Sequence, residues 1–347
     1  MNILLTDREK TILRFVVENY VRQAVPVGSR NISRQSDLNL SSATIRNVMS
    51  DLEEMELLKT PHTSAGRVPT DKAYRLYVDS LMNKEGLTAK EKGMIRTHIL
   101  ENLSGANSAQ DIYNETSRLL GRISHLLAVV SEPFLSTGIF EKLELVQISN
   151  TKILVVINLR SDIVKTVMMD IDSEIPRAKI DTLNLLLNEK LSGLSLKEIR
   201  DTFSERMSGY TDQYDGLVQV FVDSVEKIYS EQEKGSKYYI GGTGEILNQP
   251  EFEDPKTLKN LIELTENKSM VVHIFQNSSL LNDNDINISI GRENEQLKLK
   301  DLSILTTCYR TGDVTGRIGV VGPKRMNYAK VVSLLEYTTK LISELSI

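Results

Sequence analysis

The sequence predicts a multidomain α+β protein, and three observations support that fold class. In the first 82 residues, three helical patterns are separated by turn residues and followed by a hairpin signal. Two helical stretches follow at about 88–103 and 108–130. The apolar period then changes to that of strands in three short segments joined by tight turns, an antiparallel meander at 143–149, 153–159 and 163–169. Helical patterns return over about 176–232, and further strands and a last helix follow. With 347 residues, the chain is long enough for two or three domains that each bury a core.

The first segment contains three helices of unequal length. Thr6 caps the first helix, which ends before the turn residues 24–28. Ser29 caps a short second helix that extends to about Ser36. After a brief turn, a third helix runs to about Met55. A short helix followed by a turn and a capped helix is the arrangement of a helix-turn-helix.

A hairpin and a closing helix complete this segment. The residues 57–59 and 67–69 flank the loop residues 62–66, whose Thr, Ser and Gly are typical of a hairpin turn. Thr70 caps a helix over 71–82. Because the hairpin directly follows the helix-turn-helix, the whole series predicts a winged helix.

The third helix, which Ser41 or Ser42 caps, has one apolar and one polar side. Its apolar residues are Ile45, Val48, Met49, Leu52 and Met55. The polar side carries small or hydrogen-bonding residues that we expect to contact bases, namely Ser42, Ala43, Arg46, Asn47 and Ser50. Arg46 and Asn47 can make bidentate contacts to guanine and adenine edges. The alternative is an ordinary amphipathic helix with a solvated face, but the ordered series of elements favours a recognition helix in a major groove.

Contacts to the DNA backbone are expected from the second helix and from the wing. The second helix would offer its first amide groups and the side chains of Ser29, Arg30 and Arg34 to phosphates. In the wing we expect contacts from His62, Thr63, Ser64 and Arg67, of which Arg67 could reach a phosphate or the adjacent minor groove.

The net charge of −5 is unevenly distributed along the chain. The first 82 residues carry eleven Lys/Arg and ten Asp/Glu, whereas the rest of the chain is acidic. An acidic body repels phosphates, so any DNA contact is expected to be local to the first segment.

No feature of the sequence points to catalysis or to a membrane. The four histidines are scattered, and Cys308 is the only cysteine, so no metal site is expected. The glycines of 241–244 and 312–322 lack the spacing of phosphate-binding loops and are interpreted as turns. We therefore expect no catalytic residue, no cofactor and no enzyme activity. Without a signal peptide or a long apolar run, the expected location is cytoplasmic.

Several blocks of the sequence closely resemble the HrcA family of heat-inducible transcription repressors. These are the runs 26–30 (PVGSR), 40–47 (LSSATIRN), 61–70 (PHTSAGRVPT), Gly241 with 250–252 (PEF), 290–293 (IGRE) and 316–328 (GRIGVVGPKRMNY). They cover essentially the whole chain in the family's order. Two positions depart from the family pattern: Lys324, where Thr is expected, and Val48, where Glu is expected. Neither is a predicted base contact.

The resemblance implies a function and a domain organisation. HrcA-like proteins repress chaperone operons of the GroE and DnaK type by binding the inverted repeat CIRCE as dimers, and the GroE chaperonin modulates their activity. The implied domains are a winged helix at 1–82, a GAF-like domain formed by 87–175 and 285–347, and a dimerisation domain inserted at about 176–284. The meander would then belong to the GAF-like domain.

Two other functions stay open at this point. The GAF-like body could bind a small-molecule effector that sets DNA affinity, or the winged helix could contact a protein instead of DNA. Lys324 and Arg325 are similarly ambiguous: they are an ordinary helix start, or an exposed pair that contacts a partner subunit or an anionic effector.

Overall fold

A computed structural model describes residues 5–35, 40–61, 66–105, 109–161, 163–171, 176–207, 222–227, 237–267, 271, 275, 285–294 and 299–344. The chain forms two compact units. The first comprises Met1–Val130, Tyr239–Thr307 and Ile318–Thr338, and the second comprises Ser131–Tyr238, Cys308–Arg317 and Thr339–Ile347. In these described ranges, no helix is long and apolar enough to cross a membrane.

The first unit begins with the predicted winged helix. Its elements are α1 (Asp7–Gln23), α2 (Ser29–Gln35), α3 (Ser42–Glu54), β1 (Leu58–Lys59), β2 (Val68–Pro69) and α4 (Asp71–Leu76), which a π-helical turn (Tyr77–Leu81) extends. Thr6 and Glu9 form a capping box at the start of α1, and Ala24 in the left-handed conformation ends it. The hydroxyl of Thr70 accepts a hydrogen bond from the Ala73 amide and so starts α4. These local signals confirm the helix starts that the sequence predicts.

A five-stranded sheet lies mostly in the rest of this unit, while the parts of two strands within Cys308–Arg317 belong to the second unit. Two helices, α5 (Ala89–Gly105) and α6 (Ala109–Ser124), precede its first strand, β3 (Leu127–Ser131). The other strands are β7 (Tyr238–Gly241), β8 (Asn287–Ile290), β9 (Leu302–Thr311) and β10 (Val314–Pro323), and the strand order is β7-β3-β10-β9-β8. Three further helices are α9 (Thr243–Ile246), α10 (Pro255–Glu266) and α11 (Tyr328–Glu344).

The sequence predicts that the second helix after the winged helix reaches residue 130, and this is wrong for its last residues. His125 adopts the left-handed conformation, with φ at 56°, which ends α6. All five residues of β3 are buried. A strand buried on both faces reads as a continuous apolar run, which periodicity alone does not distinguish from a buried helix.

The predicted turn at 241–244 is confirmed by a close backbone approach. Gly242 has a φ of 81° and lies against α6, where an added Cβ would be 2.0 Å from the carbonyl oxygen of Leu126. Gly121 on α6 meets the same turn, because a Cβ there would be 2.4 Å from the Cα of Gly242. The glycines therefore serve packing and turn geometry.

The second unit is built on the meander. The strands β4 (Phe140–Ser149), β5 (Lys152–Leu159) and β6 (Val164–Asp170) form an antiparallel sheet, and α7 (Arg177–Leu191) and α8 (Leu196–Met207) pack on one face of it. The amide of Asn188 on α7 bonds both backbone groups of Leu143, with its Oδ1 accepting at 2.7 Å and its Nδ2 donating at 2.9 Å. This contact occupies part of the open edge of β4.

The two compact units do not coincide with the domains that the resemblance implied, and the GAF-like and dimerisation roles stay predictions. The meander was expected in the GAF-like domain together with the last strands, but it forms a separate sheet in the second unit. Conversely, β7 lies within the expected insertion of 176–284, yet it joins the five-stranded sheet next to β3. The second unit is not one continuous segment, because it contains Cys308–Arg317 and Thr339–Ile347 besides Ser131–Tyr238. Periodicity predicted the meander and its antiparallel pairing, but it does not show to which domain the meander belongs.

Candidate DNA-binding surface

The helix α3 is anchored from behind by its apolar side. Ile45 and Leu52 are completely buried, and Val48 and Met49 are nearly so. At its start, the hydroxyl of Ser41 accepts a hydrogen bond from the Thr44 amide at 3.1 Å. The cap and the buried residues hold the helix in one orientation on the domain.

The opposite side of α3 faces outward. Ala43, Arg46, Asn47 and Ser50 are exposed and Ser42 is half-buried, and we call these five residues the reading face. All the predicted base-contact residues are therefore brought together on one surface. One apolar residue was misplaced: Met55 was expected in the core but is 36% exposed. The helix ends at Glu54, and Glu56 turns the chain with a φ of 59°, so Met55 no longer follows the helical face.

The two helices of the helix-turn-helix are held together by a buried side chain and a hydrogen bond. Ile32 on α2 is completely buried. The hydroxyl of Ser33 donates a hydrogen bond to the carbonyl oxygen of Leu40 at 3.0 Å, which ties the end of α2 to the start of α3. Arg30 and Arg34 are exposed on α2, whereas Ser29 is half-buried. Two cations therefore flank the reading face on the preceding helix.

The wing is fixed at its base. Strands β1 and β2 pair antiparallel, and Val27, from the connection between α1 and α2, pairs with Arg67 through two backbone hydrogen bonds of 2.9 Å each. The base thus has three backbone segments. The predicted wing residues His62, Thr63 and Ser64 lie outside the described residues.

Arg67 lies at the base of the wing and is already paired. Its Nη2 is 2.8 Å from Oε2 of Glu53, and the hydroxyl of Thr60 donates to Oε1 of the same carboxylate at 2.6 Å. Glu53 therefore ties the end of α3 to both sides of the hairpin. The sequence did not predict these bonds, because no spacing rule connects Glu53 to residues on the two sides of a hairpin loop. The predicted phosphate or minor-groove contact of Arg67 requires this pair to open.

The charge of the exposed side chains changes from positive to negative along α3. The cation Arg46 lies in the first half of the helix, whereas the exposed acids Asp51 and Glu54 lie in its last turn. Beyond the helix, Lys72 on α4 bonds the carboxylate of Glu56 and holds the pKa of that carboxyl below its ordinary value. A polyanion is therefore attracted to the first half of α3 and repelled by its last turn.

Comparison with known proteins covers nearly the whole chain. Residues 4–82 match the family model described as the winged helix-turn-helix transcription repressor, HrcA DNA-binding, and residues 110–332 match the HrcA protein C terminal domain. The chain belongs to the HrcA family. It is 40% identical over 344 residues to the heat-inducible transcription repressor HrcA of Chlorobium phaeobacteroides (strain BS1), covering 98% of this chain and 97% of that one. The HrcA repressor of Chlorobaculum tepidum is 41% identical over 346 residues, with the same coverage.

One solved structure shares the fold of this HrcA-family chain. A crystal structure of a hypothetical protein at 2.2 Å resolution superposes with a TM-score of 0.58 at 22% identity, over 98% of each chain. The family model identifies residues 4–82 as the DNA-binding domain, and the relatives are transcription repressors rather than enzymes, as the sequence predicts.

Proposed function

We propose that this chain is a heat-inducible transcription repressor that binds an inverted-repeat operator of the CIRCE type as a homodimer in the cytoplasm. The observation that carries the proposal is the reading face. Its five residues stand together on the outside of a helix whose other side is fully buried. Occupation of the promoter is sufficient for repression, so no chemical step is required.

Each side chain of the site has a role that its chemistry suits. Arg46 donates a fork of hydrogen bonds to a guanine edge, and Asn47 both donates to and accepts from an adenine edge. Ser42, Ala43 and Ser50 are small enough for the helix to enter the groove. The neighbouring cations of α2 would hold the phosphates that set the register.

A homodimer is needed because one recognition helix reads only a few base pairs. Two copies related by a twofold axis double the contacts and require an inverted repeat.

The outer face of the meander in the second unit supports such an assembly. Val146, Leu154 and Met168 are directly opposite one another across the three strands, and Val146 and Met168 are 40% and 44% exposed. An apolar row across a sheet that is covered on its other side suits a second copy of this chain.

The operator and the dimer are tested together. We expect sedimentation equilibrium to give a dimer, and fluorescence anisotropy to give tighter binding to an inverted repeat than to one half-site. Met168→Lys should weaken the dimer and the preference for the inverted repeat. Leu185→Lys on α7 is the matched control, since Leu185 is 73% exposed in the same unit but lies on a helix. Equal effects of the two variants would contradict the dimer surface.

Regulation by heat would act through the active fraction of the protein. A multidomain chain whose domain is interrupted by an insertion folds slowly and exposes apolar surface before it is complete. Such a chain is a client for the GroE chaperonin. Heat would divert the chaperonin to other clients, lower the amount of active repressor and derepress the GroE- and DnaK-type operons. Refolding with and without chaperonin, followed by operator binding, tests this, and equal recovery would contradict it.

A cavity favours a second candidate, control by a small-molecule effector. The cavity has a volume of about 330 Å³ and lies in the first unit among the end of α1, the linker after the winged helix and the start of α11. Its polar lining includes Glu18, Arg22, Tyr77, Glu85 and Asn327. A specific metabolite should raise the melting temperature of the protein and change its operator affinity. A screen with no such compound would leave chaperonin control as the sole mechanism.

A further inference from the structure

The winged helix contacts the rest of the first unit through one dense set of side chains. On the winged-helix side, these contacts involve the end of α1 and the whole of α4. On the other side, they involve residues 249–251, 288–293 and 324–328. We call this set the junction.

Arg325 joins three segments at the junction. Its Nε donates to Oε1 of Glu251 at 2.6 Å, and its Nη2 donates to Oε2 of Glu251 at 3.1 Å and to Oε1 of Gln249 at 3.0 Å. Its Nη1 donates to the carbonyl oxygen of Val21 at 2.5 Å. That carbonyl lies in the last turn of α1, where no amide of the helix is available to bond it. The Arg325 side chain is only 10% exposed, so it is neither a free cation nor a partner-binding group.

Two further ion pairs cross the junction beside α4. The Nε of Arg75 donates to Oε1 of Glu293 at 2.8 Å, and its Nη2 donates to the carbonyl oxygen of Ile288 at 2.5 Å. The Nζ of Lys324 lies 2.8 Å from Oδ1 of Asp71. Of the two alternatives that the sequence left for Lys324 and Arg325, the exposed pair is therefore wrong, because both side chains are bound to carboxylates of the same unit.

Packing leaves little room for movement at this junction. The rings of Tyr74 and Tyr328 are 6.0 Å apart between centroids, and both are buried. Gly291 lies so close to Asp71 that an added Cβ would be 2.3 Å from its Oδ2. The covalent connection over 82–88 has no helix or strand, but it is also bound to the body: Lys84 donates to Glu336 at 2.6 Å, and Asn327 donates to Glu85 at 2.7 Å. The side chains of the junction, together with these more exposed linker contacts, hold the winged helix in one orientation.

We infer that Arg325 is a positioning residue that sets the operator spacing which this protein accepts. The inference rests on the proposed function, because it requires two reading faces in one dimer. Each base pair added between half-sites rotates one of them by about 34° around the helix axis. A winged helix that is fixed on its body cannot follow that rotation, whereas one held only by a flexible linker can. The junction would therefore select one spacer length.

The test measures affinity for inverted repeats whose spacers differ by single base pairs. We expect the wild-type protein to lose about tenfold or more in affinity when the spacer changes by about half a helical turn. Arg325→Lys keeps the positive charge but removes the several hydrogen-bond donors of the guanidinium. In this variant the affinity should fall by only about threefold or less when the spacer changes. Affinity for a single half-site should stay within about twofold of wild type, since the reading face is unchanged.

A second variant and a control distinguish the proposed effect from a general loss of folding. Asp71→Asn combined with Glu293→Gln loosens the other two ion pairs at side chains more exposed than Arg325, and it should flatten the spacer profile in the same way. Arg118→Lys is the matched control, because Arg118 is paired with Glu115 at 2.7 Å within α6. Half-site affinity and melting temperature verify that each variant is folded.

The outcomes separate this inference from the proposed function. A sharp wild-type optimum that both junction variants retain would overturn the inference and leave the dimeric repressor intact. If the wild-type protein binds one half-site as tightly as the inverted repeat, the proposed function fails and the inference fails with it. A profile that is flattened in both junction variants but not in Arg118→Lys supports the role of Arg325.

Discussion

The winged helix has the reading face on one surface and takes part in the junction on another. Each of these places contains an arginine, and the two arginines differ in exposure and in what they bind. Arg46 on the reading face is exposed, whereas Arg325 reaches the winged helix from the body, is 10% exposed and makes four hydrogen bonds. A solvated guanidinium keeps its donors available for a ligand, and a bound one fixes geometry. The comparison teaches that the partners of an arginine, rather than its presence, indicate its role.

Arg67 lies between these two extremes. It belongs to the wing, yet it is bound to Glu53 and is 24% exposed. A phosphate would compete with that carboxylate for the same donors. The base of the wing thus resembles the junction, because its arginine is bound to a carboxylate of the protein. The DNA contact of the wing stays a prediction.

The largest effect is expected from removing the support behind the reading face. Leu52 is completely buried, so Leu52→Ala should lower the free energy of unfolding by about 2–5 kcal/mol through lost burial and a cavity. Met55→Ala, directly after the same helix, should change it by less than about 0.5 kcal/mol, because Met55 is 36% exposed. Urea unfolding measures both, and equal losses would show that α3 is not anchored as described.

The second-largest effect is expected from substitutions in the reading face itself. Arg46→Ala should weaken operator binding by about 1–3 kcal/mol and relax discrimination at one base pair. Arg46→Lys keeps the charge but loses the fork, so binding to unrelated DNA should persist while discrimination is lost. Anisotropy titrations on single-base operator variants measure this. A uniform loss over all sequences would assign Arg46 to phosphate instead of to a base.

A smaller and different effect is expected for Arg30 on α2. Arg30→Ala should weaken operator and unrelated DNA about equally, because phosphate contacts carry no base information. The slope of log affinity against log salt should become shallower by about 0.9 for one lost phosphate contact. Arg34→Ala, also exposed on α2, provides the companion measurement. If either variant changes base preference, α2 takes part in direct readout.

The sequence was sufficient where a signal is local. Periodicity separated the buried Ile45 and Leu52 from the exposed Arg46 and Asn47, and caps such as Thr6 gave the helix starts. Whether that surface contacts bases stays a prediction, since the structure gives exposure and not binding.

The sequence was insufficient where the outcome depends on distant partners. The strand β3 was assigned to a helix because its buried run has no alternation. The strands of the meander pair as predicted, but the family resemblance grouped them in one domain with the last strands, with which they share no sheet. The bonds from Glu53 to the wing and from Arg325 to Glu251 join residues that only the folded chain brings together. Long-range pairs of this kind leave no spacing to detect.

The smallest effect concerns a half-buried ion pair near the junction, between Glu91 of α5 and Lys330 of α11. The bond from Lys330, together with that from the Thr88 amide, lowers the pKa of the Glu91 carboxyl to about 2. A lowered pKa in the folded state means that the stabilisation is present above the ordinary carboxyl range and is lost as the pH falls from about 4.5 to about 2.

Glu91→Gln should therefore reduce stability at neutral pH, by about 1 kcal/mol or less because a pair that is still in contact with water contributes little. The difference from wild type should vanish at the acid end of that range, which melting temperatures measured across pH would show. Lys330→Met removes the first of the two partners, so adding it to Glu91→Gln should cost less than the sum of the single changes. A difference that persists unchanged at low pH would mean that the glutamate stabilises α5 by packing and not by its charge.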